Sequence, residues 1–203
     1  MDSYEILKNG VEVVYAFGSV PDMKNKRFVF LAGTTPWNGE LLTESWRRYF
    51  LDKIGLEKNI EPGTVFCIPE PQHGKFAKTP TRHLIDWETE YLDRSNLHVY
   101  WLNTYWSIEQ AIHGASPELS KYFSDGSQAN IGVTVRCELG ASFSRYRHSN
   151  NGFELIIGAP QDAQGLAWVS VHSKLFGVPI YWLYEKNSVF SSDWYRAILH
   201  EIS

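Results

Sequence analysis

Hydrophobic residues fall along this chain in short, unbroken, β-rich runs. They occupy residues 27–31 (RFVFL), 64–68 (TVFCI), 97–102 (LHVYWL), 154–157 (ELII) and 179–184 (PIYWLY). A strand wetted on one face alternates apolar with polar residues, whereas an unbroken run belongs to a strand covered on both faces. Between the runs the period changes to that of a helix. Residues 42–54 set Leu42, Trp46, Tyr49, Phe50 and Ile54 on one stripe. Residues 81–95 do the same with Leu84, Ile85, Glu88, Tyr91 and Leu92. Residues 132–145, 163–176 and 191–201 are further helical segments by the same criterion. Alternating strand and helix predicts an α/β fold whose parallel sheet is joined by right-handed crossovers.

Two segments break that rhythm. Residues 11–20 (VEVVYAFGSV) read as one extra N-terminal strand, an antiparallel edge, within an N-terminal extension over 1–26. Residues 103–130 are a long connection, polar in its second half, with a short helix expected at 106–113. Connections longer than roughly 12–15 residues are usually functional. No Pro/Gly-rich linker divides the chain, so residues 27–203 read as one α/β domain.

Composition narrows the function. The 203 residues carry 19 Lys+Arg against 23 Asp+Glu, a net charge of −4. That gives no electrostatic reason to expect a nucleic-acid polymer as partner. Cys67 and Cys137 cannot build a disulfide framework, which points to a reducing compartment and a cytoplasmic location. The first residues show no basic-then-apolar leader, and no stretch approaches the roughly 20 apolar residues of a membrane helix. Aromatic residues reach 15%, with 8 Trp.

In an open α/β sheet, ligands bind outside the carboxyl ends of the strands. Those ends carry Ala-Gly-Thr-Thr-Pro-Trp (32–37), Pro-Glu-Pro-Gln-His-Gly (69–74), Asn103, and Gly-Ala-Pro-Gln (158–161). The first loop reads either as a close-approach surface for a ligand or as a tight strand-to-helix turn. No dinucleotide glycine loop, Walker loop or nucleophile-elbow serine is present. His73 and His83 lack metal-ligand spacing, so neither metal nor cofactor is expected. Acidic residues remain. Glu138 sits among apolar and small residues in the first turns of a helix starting near residues 132–134. A helix N-terminus favours the carboxylate form, which suits a nucleophile. Glu88 lies on the inward stripe of its helix, with Asp86 and Glu90 nearby. The plainer alternative is that these acids line solvated helix faces with Arg partners.

At this point the chain resembles the nucleoside 2-deoxyribosyltransferase-like family. The resemblance rests on an ordered set: Phe-Leu-Ala-Gly at 30–33 with Pro36; Ser45-Trp46-Arg47; Val-Phe-Cys-Ile-Pro-Glu at 65–70; Asp86-Trp87-Glu88 followed by Leu92; Tyr100-Trp101; Glu138-Leu139-Gly140; and Ile-Gly-Ala-Pro at 157–160. It spans most of the chain. It implies a flavodoxin-like, doubly wound, five-stranded parallel sheet beside the extra N-terminal strand. It implies cleavage of an N-glycosidic bond in nucleotide salvage, with the 2-deoxyribosyl group passing to another base through a covalent glutamyl intermediate. By the resemblance Glu138 is the nucleophile and Glu88 the acid, with Asp86 as its nearest substitute. Substrate contacts fall on Phe30, Gly33, Thr34, Thr35, Trp37 and Glu70. Phe30 stands where better-known transferases carry tyrosine. The aspartate they carry shortly before the nucleophile is replaced by Gly132, leaving Asn130 as the nearest polar residue. Arg136, two before the nucleophile, offers a cation for a 5′-phosphate or a carboxylate. Such proteins complete their pocket with a neighbouring subunit, so the resemblance also implies a homo-oligomer.

The chemistry suits these residues. One carboxylate attacks the anomeric carbon while a second carboxyl protonates the departing base, and retaining glycosidases hold such a pair about 5–5.5 Å apart. Three alternatives stay open at this stage: hydrolysis of a nucleoside or its 5′-monophosphate, a non-catalytic nucleotide-binding module, and an interaction domain without a small ligand. Among the aromatics, Trp46, Trp101, Trp168 and Trp182 are expected in the core. Phe30, Trp37 and Trp106 lie near strand ends, where a nucleobase needs a stacking partner.

Overall fold

Every unbroken apolar run forms a strand, and all of them share one sheet. The structure is a computed structural model that describes residues 3–33, 46–70, 72, 82–103, 133–149, 152–184 and 188–203. Its strands are β1 (Tyr4–Ile6), β2 (Glu12–Tyr15), β3 (Arg27–Gly33), β4 (Thr64–Ile68), β5 (Leu97–Trp101), β6 (Glu154–Pro160) and β7 (Ile180–Leu183). Among the described residues the helices are α1 (Trp46–Ile54), α2 (Arg82–Arg94), α3 (Val133–His148), α4 (Ala167–Phe176) and α5 (Ser192–Ile202). The helix expected over 106–113 and the long connection lie outside the described residues.

The sheet order is β1-β2-β4-β3-β5-β6-β7. All neighbouring pairs are parallel except β1 with β2. The fold is therefore α/β with a mostly parallel sheet, as the pattern predicts, but the N-terminal part differs from expectation. Residues 11–20 do not form an antiparallel edge strand. Instead β2 runs parallel inside the sheet against β4, and the short β1 takes the edge. The burial pattern explains this. Val13, Val14 and Tyr15 are all buried, which suits a strand covered on both faces, whereas Ile6 at the end of β1 is exposed.

Alternate residues of each strand feed two separate cores. Phe28, Phe30, Ala32, Cys67, Tyr100, Leu155 and Ile157 pack with Trp87 and Tyr91 of α2, Leu139 and Phe143 of α3, and Val169 of α4. Val29, Leu31, Phe66, Val99, Trp101 and Ile156 pack with Phe50 and Ile54 of α1 and Trp194 and Ile198 of α5. So α2, α3 and α4 cover one face, and α1 and α5 the other. The helical stripes need two corrections. Tyr49 and Ile85 are exposed, while Trp87, which the expected stripe left out, is buried. The tryptophans explain much of the aromatic content: Trp194 lies between Trp101 and Trp46, with ring centroids at 5.2 and 5.9 Å. Trp46 and Trp101 are buried as expected, and Trp168 and Trp182 pack partly buried against the first core. No described helix is long and apolar enough to cross a membrane.

This topology selects one region. From β3 the chain moves one way to β4, then crosses back over β3 to β5 and continues outward to β6 and β7. Ligand crevices of open parallel sheets form where the winding direction reverses, here at the carboxyl ends of β3 and β5.

Candidate functional site

Gly33 ends β3 with φ +145°, and a Cβ there would collide with the Trp101 carbonyl of β5. Glycine is required at this point by the close backbone packing of two strands. Its carbonyl accepts a hydrogen bond of 2.8 Å from Arg47 Nη2, and the Leu31 carbonyl accepts one of 2.9 Å from Arg47 Nε. Arg47 lies in the first turn of α1, fully buried, with its guanidinium 4.7 Å from the Trp46 ring centroid. It also forms an ion pair with Glu70, just past β4. Glu70 is itself buried, and its backbone carbonyl accepts from the Ala16 N–H after β2 at 3.0 Å. The Arg47–Glu70 pair thus joins the ends of three strands from the α1 layer.

From the opposite layer come two half-buried acids. Glu88 shares the inward stripe of α2 with Leu84 and Tyr91, and Glu138 lies in the second turn of α3 beside the buried Leu139. Burial pushes the Glu88 carboxyl up to about 7. The negative charge of Glu138 adds to that rise and the Arg47 guanidinium opposes it. Burial also raises Glu138, again opposed by Arg47. The expected helix-terminal stabilisation of Glu138 does not prevail. Dipole effects fade within the first turn, and Glu138 lies beyond it. Arg47 is the group that favours its anion. Tyr100, one residue before the end of β5, also lies in this field, its hydroxyl raised by burial and then by the Glu138 charge. Four elements therefore bring Arg47, Glu88, Glu138 and Tyr100 into one electrostatic environment.

The other expected residues fare differently. Asp86 is not part of this group. Its side chain is 64% exposed and 3.9 Å from Arg82, because two positions along a helix turn it roughly 200° away from Glu88. Glu90 likewise pairs with Arg94 at 3.0 Å. These two are the solvated acids of the plainer alternative; Glu88 and Glu138 are not. Phe30 is fully buried, with its ring centroid 6.1 Å from that of His98. Glu70 is also covered, and its carboxylate faces Arg47. Arg136 is half-buried on α3. Thr34, Thr35, Trp37, Trp106 and Asn130 lie outside the described residues.

Sequence reasoning left several residues of this region without a role: Arg47, Tyr100, and the buried polar pair His98 and Ser142 behind the acids. A signal was available for two of them. Arg47 interrupts the apolar stripe of Trp46, Phe50 and Ile54, and His98 interrupts the apolar run of β5. A charge or imidazole placed in a core pattern must find a buried partner. Among the described residues no group of three or more His, Cys, Asp or Glu could hold a metal ion. In comparisons with known proteins, the chain matches no family model and no curated protein.

Proposed function

We propose that this chain cleaves the N-glycosidic bond of a deoxynucleoside and transfers the 2-deoxyribosyl group to another base, with Glu138 as nucleophile and Glu88 as acid. One observation carries the reading: two half-buried glutamates on adjacent helices share one field with Arg47, and burial together with the Glu138 charge pushes the Glu88 carboxyl up to about 7. Two titratable groups whose surroundings separate their proton affinities are a natural acid and anion pair. The parallel strands β4-β3-β5-β6-β7 support a flavodoxin-like reading of that part of the sheet.

In this mechanism a Glu138 carboxylate oxygen attacks the anomeric carbon. The bond from that carbon to the base nitrogen breaks, its electron pair stays with the nitrogen, and Glu88 supplies the proton. The acceptor base then attacks the same carbon, the glycosyl ester to Glu138 breaks, and the acceptor's N–H proton returns to Glu88. Two displacements give net retention at the anomeric carbon. Arg47 stabilises the resting carboxylate of Glu138, and proton donation by Glu88 is worth about 10²–10⁴-fold in rate. Water in place of the second base gives hydrolysis from the same intermediate. On this reading the protein is a cytoplasmic homo-oligomer whose substrates reach Thr34, Thr35, Trp37, Asn130 and Arg136.

The test is product analysis. Incubation with a deoxynucleoside and a different free base gives the exchanged nucleoside, and omission of the acceptor base leaves only slow release of sugar and base. A panel of nucleosides and 5′-monophosphates that all remain intact removes the enzyme reading.

A further inference from the structure

His98 lies in β5 facing the α2–α3 layer and is almost fully buried. Both ring nitrogens are engaged. Nε2 is 2.9 Å from the Leu92 carbonyl, and Nδ1 is 2.8 Å from Ser142 Oγ. A carbonyl only accepts, so Nε2 carries the hydrogen. Burial lowers the imidazole to about 4, which keeps the ring neutral and leaves Nδ1 to accept from the Ser142 hydroxyl. The Tyr100 hydroxyl, 2.9 Å from Ser142 Oγ, completes a directional chain from Tyr100 through Ser142 and His98 to Leu92.

The positions of the two contacts are informative. Leu92 is one helical turn beyond Glu88 on α2, and Ser142 is one turn beyond Glu138 on α3. A single neutral ring on the central sheet therefore touches both acid-bearing helices at equivalent positions. Arg145 of α3 closes the arrangement, since its Nη1 donates 2.7 Å to the same Leu92 carbonyl. Its guanidinium covers the Phe153 ring at 4.5 Å, and that ring stands edge-on to His98 at 4.6 Å. Ser142 Oγ also lies 2.9 Å from the Glu138 carbonyl, but its one hydrogen is given to His98, so this contact adds no second bond.

We propose that His98, Ser142 and Arg145 form a spacing clamp, a set of positioning residues that fixes the separation of Glu88 and Glu138. This rests on the reading of those glutamates as the reacting pair. None of the three clamp residues delivers a proton to the substrate. Their effect is geometric, and a misplacement of about 1 Å in a reacting pair can cost about 100-fold in rate. A buried ring that stays neutral keeps both of its contacts in place, which accounts for an imidazole in an otherwise apolar strand.

The test uses the full chain with Ser142→Ala and Arg145→Met, and Ile198→Ala in the opposite core layer as a control for lost stability. The first readout, taken without substrate, is the carboxyl titration of ¹³C-labelled glutamates by NMR. The second is the separation of kcat from KM for base exchange. Arg47, the cation that acts on both acids, is unaltered in all three variants. The clamp predicts that the upper titration step, near 7 in the wild type, moves in both clamp variants and stays in the control. It also predicts that kcat falls by about 10- to 100-fold with KM unchanged. Folded clamp variants with wild-type titration and wild-type kcat overturn it. If Ser142→Ala does not fold, Arg145→Met on the half-buried face of α3 decides the matter alone. If the wild type turns over no nucleoside, the proposed reaction fails and the titration still judges the clamp: a moved step supports it and an unmoved step overturns it.

Discussion

Arg47 donates to the carbonyl of Gly33 at 2.8 Å, so the last residue of β3 is held by a side chain of the helix that follows it. The same guanidinium bonds Leu31 and pairs with Glu70, which makes it the point where strand ends, buried charge and the candidate acids meet. A buried cation of this kind is costly to remove by halves. Arg47→Met leaves the Glu70 carboxylate buried opposite an apolar side chain and strips two carbonyls of a donor. Loss of one partner from a buried pair typically costs about 3–5 kcal/mol. Denaturant unfolding of Arg47→Met checks this, and adding Glu70→Gln to that variant is expected to recover part of the loss. Equal stabilities for wild type and Arg47→Met would show that the pair does not secure the strand ends.

The acid assignment predicts a bell-shaped pH profile for kcat/KM. Glu138 works ionised, and its carboxyl is raised by burial against the pull of Arg47, so the acidic limb is displaced upward from the ordinary carboxylate value. Glu88 works protonated, so activity falls as pH rises through about 7. Glu88→Gln is expected to abolish the alkaline limb and to lower the rate by about 10²–10⁴-fold. An alkaline limb that survives this substitution assigns the proton donor to another residue.

Stability responds to pH through the same groups, with opposite signs. The folded-state value of Glu88 is raised from 4.5 to about 7, so its favourable contribution is complete below 4.5 and is lost as pH rises through about 7. The folded-state value of His98 is lowered from 6.5 to about 4, so its contribution is complete above 6.5 and is lost as pH falls through about 4. Between 4.5 and 6.5 the two slopes oppose each other. Glu88→Gln is expected to gain stability relative to wild type as pH rises from 4.5 to 7.5, and His98→Gln to lose the acid-side decline. Urea unfolding at pH 4.5, 5.5, 6.5 and 7.5 measures both. A Glu88→Gln curve parallel to that of wild type contradicts the raised carboxyl.

Much of the fold was legible because covering a sheet on both faces leaves a mark that survives in one dimension. Residues such as Phe28 to Ala32 must all be apolar when alternate side chains enter two different cores. The N-terminal strands were less legible. Tyr-Glu-Ile is too short and too polar to announce β1, and nothing in a run such as Val-Glu-Val-Val-Tyr states the direction of its neighbour. Glu88 stood out because a carboxylate on an apolar stripe is anomalous, whereas Asp86, two residues away, only resembles it in sequence. The Arg47–Glu70 pair and the His98–Ser142 bond were not legible. Each joins residues far apart along the chain, and their meeting depends on where a strand ends and a helix begins.

The central claim is that Glu138 carries the deoxyribosyl group between donor and acceptor. The most direct measurement is peptide mass spectrometry of protein quenched in acid after brief exposure to a deoxynucleoside, with no acceptor base present. The account predicts a deoxyribosyl adduct on the peptide containing Glu138, absent from Glu138→Gln and removed from wild type by adding a free base before the quench. Nucleoside consumed with no adduct on that peptide, or an adduct on another residue, contradicts it.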